Sequence, residues 1–273
     1  MNWRAVAALA RKDLLVVRRS RALMVPLVLV PIILVVVVPV ALGVIPVVAT
    51  AGDPVAAARF DETFRSLPPQ LVAQLGGSTG PERWMRLVHA QLLPPLLLLV
   101  PFMVAQVIAA DSFAGERERK TLEPLLYTPT TDGELLAGKL LAALVPALLV
   151  NAGGFLLSAA TFAAVSAAFL PAPLLPDLRW ALLAFWVAPA FTAVGLAAMV
   201  LVSLRVRGTQ EAMQLGGLLV LPVVGLLVNQ VRGALVLGPA AMVIGGVLLW
   251  AVAAGLLVLG RRRFRRASLV TRL

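Results

Sequence analysis

"GERERKTLEPLLYTPTTDGELLAGK", residues 115–139, lies between two of the most apolar stretches of the chain, LLPPLLLLVPFMVAQVIAA (92–110) and LLAALVPALLVNAGGFLL (140–157). A helix of about 20 apolar residues is enough to cross a bilayer, so both flanking runs are candidate spans and the charged segment is what joins them. Composition supports this reading. Of 273 residues 60% are hydrophobic and 14% charged, whereas soluble domains average about half and about a quarter. The net charge of +11 would suggest nucleic acid in a soluble protein. Here the positive charge clusters beside apolar runs, as expected of residues facing the cytoplasm and anionic headgroups, and no nucleic-acid partner is expected. The absence of cysteine excludes disulfides, thiolate chemistry and cysteine-ligated metal. The single histidine, His89, cannot form a metal cluster and is expected at a membrane surface.

Working outward from the charged stretch, the apolar pattern predicts an all-α polytopic membrane protein. It forms one transmembrane domain over 1–273, with spans at 22–48, 90–110, 136–166, 180–203, 213–230 and 236–260. The fifth and sixth are separated only by the polar patch around Asn229, Gln230 and Arg232. With six crossings and both ends cytoplasmic, eighteen of the 24 basic residues fall inside and six outside, the asymmetry of the positive-inside rule. Residues 1–21 read as an amphipathic interfacial helix, apolar side towards the membrane. Trp3, Val6, Ala10, Leu14 and Val17 share one face, and Arg4, Arg11 and Arg18 line another. Ala49-Thr50-Ala51 resembles a cleavage site, but the apolar run before it is too long for a signal core, and the segment is kept as a span. The outer loop, 50–89, is expected to form short amphipathic helices. Prolines in the spans, among them Pro39, Pro94, Pro146 and Pro189, each remove a backbone donor and bend a helix. Bilayer helices tolerate this.

The inner loop, 111–135, is the cytoplasmic loop long enough to hold structure. Thr121 can cap a short helix with Glu123 in its first turn and Pro124 where no donor is needed. Leu122, Leu125 and Leu126 fall on one face, Pro129 ends the segment, and Thr131-Asp-Gly-Glu134 is a capping box for the next span. A short capped helix with an apolar stripe, held between two spans, suits docking into a groove of a partner. Gly115 to Thr121 superficially suggests a P-loop. It lacks the glycine before the lysine, is one residue short, and puts two carboxylates where phosphates would sit.

These residues also carry a resemblance. Ser112-Phe-Ala-Gly-Glu-Arg-Glu-Arg-Lys-Thr-Leu-Glu-Pro-Leu-Leu126, then Thr128-Pro129 and Glu134-Leu-Leu-Ala-Gly-Lys139, resembles the inner loop of ABC type-2 transporter permeases. The opening Trp3-Arg…Leu9-Ala-Arg-Lys-Asp-Leu14 is similar to their N-terminal interfacial helix. The resemblance implies the permease subunit of an ABC exporter in the plasma (inner) membrane, paired with a second permease copy and with cytoplasmic ABC ATPase subunits. ATP and Mg would then be held by the ATPase, leaving this chain without a cofactor or catalytic activity of its own. It further implies a coupling helix seated in the ATPase, a role that falls on Glu116, Glu118, Thr121, Leu122, Glu123, Leu125 and Leu126.

The spans carry no carboxylate, histidine or lysine well inside the bilayer of the kind that ion-coupled carriers use. Their neutral polar residues, Gln106, Asn151, Ser158, Thr161 and Thr192, are candidates for lining a path or for bonding between helices. A regulatory or scaffold membrane protein that docks some other partner is the alternative reading. An intramembrane enzyme is disfavoured, since no paired acids or Ser–His set lies mid-span. Membrane lipids are expected partners, and the cargo is not legible.

Overall fold

In the computed structural model, which describes residues 2–65, 69–76, 79–119, 121, 130–206, 208–231 and 238–263, the chain is helical, with no strand among these residues. Helix α1 (Trp3–Arg19) is followed after one residue by α2 (Arg21–Thr50). Two short outer helices, α3 (Pro54–Arg65) and α4 (Pro69–Leu75), lead to α5 (Gly80–Glu118). Then come α6 (Asp132–Phe169) and α7 (Leu178–Ser203). Helices α8 (Thr209–Gly217) and α9 (Leu221–Val231) are joined by a 3-10 turn at Leu218–Val220, and α10 (Pro239–Arg263) ends the described chain.

Among the described residues five helices, α2, α5, α6, α7 and α10, are long and apolar enough to cross a bilayer, so the protein is a polytopic all-α membrane protein. The stretch expected as a fifth span, 213–230, is helical throughout, α8 and α9 running on from each other through the 3-10 turn. Helices α5 and α7 are the central posts, mostly buried, while α2, α6 and α10 keep apolar faces outward. Two clusters fill the interior. One joins Val17 of α1 to Ile108 and Phe113 of α5, Leu135 and Ala143 of α6, and Met199 and Val200 of α7. The other joins Val88, Leu93 and Phe102 of α5 to Phe162, Trp180, Leu183 and Phe191. Outside these, Phe64 and Leu75 of the outer helices pack on Leu87.

The prolines explain an unusual local feature. Three π turns, Ile33–Val37, Val88–Leu92 and Leu183–Val187, each end two residues before a proline, at Pro39, Pro94 and Pro189. Widening the turn relieves the clash of the proline ring with the preceding carbonyls. The last π hydrogen bonds run from Leu93 N–H to Val88 O and from Ala188 N–H to Leu183 O. The next carbonyls, His89 O and Ala184 O, then face a proline with no N–H to give. Other helices supply the donors: Trp180 Nε1 donates to His89 O at 3.1 Å and Asn151 Nδ2 to Ala184 O at 2.6 Å. In the same way Trp84 Nε1 donates at 2.6 Å to Leu42 O, four residues before Pro46. In hydrocarbon a bare carbonyl costs several kcal/mol, so these contacts turn potential hinges into braces between helices.

Helix α6 begins with both halves of the expected capping box, Glu134 N–H donating to Thr131 Oγ1 at 3.3 Å and Thr131 N–H to Glu134 Oε2 at 2.9 Å. Its 38 residues reach about 57 Å, well beyond a hydrocarbon core of about 30 Å. The helix is therefore longer than a crossing needs. Helix α1 packs against its first turns, where Gly138 leaves no room for a side chain: a Cβ there would lie 2.7 Å from Leu9 Cβ and 3.2 Å from Val6 O. Most of the apolar stripe of α1 thus lies on the protein, with Val6 and Val17 buried together with Asp13 and with Ala10 and Leu14 half-buried, while Trp3 at its start stays exposed. This corrects, for all but Trp3, the expectation that the stripe faces the membrane.

Candidate functional site: a charged junction below the spans

The fourth π turn, Asp111–Gly115, has no proline to account for it. It brings Asp111 and Ser112 into the interior and delivers the run Glu116-Arg117-Glu118-Arg119 to the foot of α5. Successive residues of a helix point about 100° apart, so four consecutive charges address four directions. Each one finds a different partner.

Glu116 is buried and accepts from Lys12 of α1 through Oε1 and from Lys139 of α6 through Oε2. Arg117 Nη1 donates to Ser203 O, at the C-terminus of α7, at 2.8 Å. Glu118 Oε2 accepts from Thr209 N–H at 2.9 Å and Thr209 Oγ1 at 3.0 Å, capping the N-terminus of α8. Arg119 Nη1 turns back to Asp111 Oδ1 at 2.9 Å. The signs match the helix ends: a cation at the carbonyl end of α7, a carboxylate at the amide end of α8.

Asp13 completes the junction. It accepts from Ser112 Oγ at 2.5 Å and lies 3.1 Å from Lys12 Nζ and 3.7 Å from Lys139 Nζ. Lys139 also donates to Ser112 O at 2.6 Å and Ser112 Oγ at 3.2 Å, with the Phe113 ring 5.5 Å away. Three carboxylates (Asp13, Asp111, Glu116) and three cations (Lys12, Lys139, Arg119) balance. Burying an ion costs several kcal/mol unless it is paired and fully bonded, and this cluster meets both conditions. Burial pulls the Lys12 ammonium down, but the Glu116 hydrogen bond and the Asp13 charge outweigh it and leave its pKa above the ordinary value. The hydrogen bond to Asp111 likewise raises Arg119. Beside the pairs is a cavity of about 270 Å³, lined among others by Lys12, Asp13, Asp111, Glu116, Arg119 and Thr121. A further tie runs from Asn2 N–H to Glu134 Oε1.

Of the residues expected to couple to a partner, Glu116, Glu118 and Thr121 belong to this junction, Thr121 N–H donating to Glu116 O at 2.9 Å. Leu122, Glu123, Leu125 and Leu126 lie outside the described residues. The neutral polar residues are dispersed. Gln106 is buried between Gly195 of α7 and Gly216 of α8, and neither of its amide atoms has a hydrogen-bond partner among the described residues. Asn151 braces Ala184. Thr192 donates within its own helix to Ala188 O at 2.7 Å, Ser158 is buried and Thr161 half-buried. None of the five lines the apolar groove of about 260 Å³ between α2 and α6.

Sequence reasoning did not assign Lys12, Asp13, Asp111, Ser112 and Lys139 to the site. One signal was present: Asp13 interrupts the apolar stripe of α1, seven residues after Val6 and four before Val17, and an acid there needs a cation on whatever the stripe packs against.

A comparison with curated proteins gives no match. A comparison with protein families matches residues 7–242 to the ABC-2 family transporter proteins. That range holds every charged member of the junction and stops at Met242, in the first turn of α10. The chain belongs to the ABC-2 family, as the multi-pass membrane subunit of an ABC transporter.

Proposed function

We propose that this permease belongs to an ATP-driven exporter of the plasma (inner) membrane, with both termini cytoplasmic. In this reading it pairs with a second permease copy and takes its power from a separate cytoplasmic ATPase that holds ATP and Mg. Leu122, Glu123, Leu125 and Leu126 form the docking surface. Glu116 acts inside the permease, because both of its oxygens are already engaged by Lys12 and Lys139. The observation that carries the proposal is the fan of residues 116–119 onto α1, α6, α7 and α8, together with the return to Asp111. A displacement of the inner loop reaches four helices through side-chain bonds one residue removed from it.

The experiment separates docking from transmission. Glu123→Ala with Leu126→Ala should abolish copurification of the ATPase and transport while membrane insertion persists. Glu116→Gln should keep the ATPase bound and lose the coupling of hydrolysis to transport. Full transport in the first variant would remove the loop from the mechanism. Loss of ATPase binding in the second would make Glu116 a docking residue rather than a transmitter.

A further inference from the structure

Docking the apolar stripe of α1 onto α6 decides what the helix shows to its surroundings. Val6, Asp13 and Val17 face inward, and Lys12 is committed to Glu116 and Asp13. What remains outward is a row of arginines. Arg4, Arg11 and Arg18 are all exposed and recur every seven residues, a spacing that drifts only about 20° per repeat around a straight helix. Arg19 and Arg21 are exposed beside the end of this row. None of these five has an ion-pair partner among the described residues. Apolar side chains flank the row: Trp3 is 64% exposed and Leu15 and Val16 are each 42% exposed. Only Ser20 separates α1 from the bilayer-length helix α2, so the arginine-rich end of α1 sits where an apolar helix enters the membrane.

We propose that the outward face of α1 is a binding surface for anionic phospholipid headgroups, with Arg4, Arg11 and Arg18 as its phosphate contacts and Trp3 as its interfacial anchor. A line of unpaired guanidinium groups beside exposed apolar side chains matches the layered chemistry of an anionic headgroup above acyl chain. A soluble phosphate would leave Trp3, Leu15 and Val16 in water. An acidic protein surface would not account for their continuity with a span. The surface is distinct from the junction, which is charge-neutral and faces the other side of the same helix.

The full-length chain in neutral maltoside micelles, without ATP, ATPase or cargo, provides the test, so failure here leaves the transport reading untouched. Brominated phosphatidylglycerol is titrated in and tryptophan quenching is followed, with brominated phosphatidylcholine as the comparison. The chain has five tryptophans, so Trp3→Phe identifies the component belonging to α1. The expected result is quenching of that component by phosphatidylglycerol at far lower mole fraction than by phosphatidylcholine, weakening with added salt. Arg4→Gln, Arg11→Gln and Arg18→Gln together should weaken it about 100-fold, roughly fivefold per arginine. The corresponding lysine triple variant should restore it, since a headgroup phosphate reads charge more than fork geometry. All three substituted positions are exposed, and unchanged elution and melting of the variants exclude misfolding. Equal quenching by the two lipids, or undiminished affinity in the glutamine triple variant, would overturn the proposal. So would loss of ATPase copurification in that variant with lipid affinity unchanged, which would assign the face to a protein partner.

Discussion

Replacing Lys139 with Met tests whether the junction is a closed circuit or a set of independent surface contacts. The ammonium donates to Glu116 and to both oxygens of Ser112, and lies 3.7 Å from Asp13. Its side chain is 2% exposed and that of Glu116 7%, so bulk water does not screen the pair. Without it Glu116 retains only Lys12, whose side chain is 39% exposed, and the Ser112 carbonyl loses the donor described here. Removing one partner of a buried pair costs about 3–5 kcal/mol, and the bare carbonyl is part of that figure rather than an addition to it. An exposed pair would cost about 0–1 kcal/mol. The assay is denaturant unfolding in mixed micelles followed by tryptophan fluorescence, for Lys139→Met, Glu116→Gln and the two combined. Glu116→Gln should relieve part of the charge that Lys139→Met leaves unpaired. The double variant is therefore expected to fall short of the sum by about 1–3 kcal/mol. A loss under about 1 kcal/mol for Lys139→Met, or additivity within about 0.5 kcal/mol, would refute the closed circuit.

Asn151→Leu should cost about 1–3 kcal/mol by leaving Ala184 O bare; in a Pro189→Ala background, where residue 189 regains its N–H, most of that cost should vanish. Equal costs in both backgrounds would refute the bracing account. Gln106→Met removes a buried amide whose atoms lack partners and should stabilise the fold by about 1–3 kcal/mol, read as a higher melting temperature; a lower one would show that the amide is satisfied. For pH, the Lys12 pKa is raised above 10.5 in the fold. Its contribution is therefore complete below the unfolded value and lost as pH rises through the folded one. The stability difference between the native chain and Lys12→Met should stay constant from about pH 7 to 10 and shrink only above that; a difference that shrinks between about pH 6 and 8 would assign the titration to another group.

The class, the long spans and the capping box at Thr131 were legible because hydropathy and capping are local signals. The junction was legible only in part. GERER announced itself as a cluster, but its partners Lys12, Asp13 and Lys139 sit 104, 99 and 23 residues away along the chain from the groups they bond. A charge near the end of an apolar run reads as a solvated end unless the packing of α1 is known. The 3-10 turn within 213–230 was hidden for a related reason. Periodicity does not distinguish a continuous helix from two pieces joined by a 3-10 turn, and α8 starts where it does because Glu118, from a distant segment, caps it. The prolines were visible, yet their consequence depended on donors from other helices. Pro94 and Pro189 read as ordinary tolerated bends, and nothing local shows that Trp180 and Asn151 fill the carbonyls they leave open.

The two uses of charge in this chain follow from one difference in surroundings. In the junction six ionised groups sum to zero, and the flanking Arg117 and Glu118 also cancel. The whole excess of +11 therefore resides elsewhere, much of it on the exposed arginines of α1 and on Arg261 and Arg262 of α10. Balance is imposed wherever charges are buried, since an unmatched ion there costs several kcal/mol. No such constraint acts on an exposed face, where water and counterions solvate excess charge and leave it available to a partner of opposite sign. Helix α1 carries both kinds on opposite sides, Asp13 inward and Arg4, Arg11 and Arg18 outward.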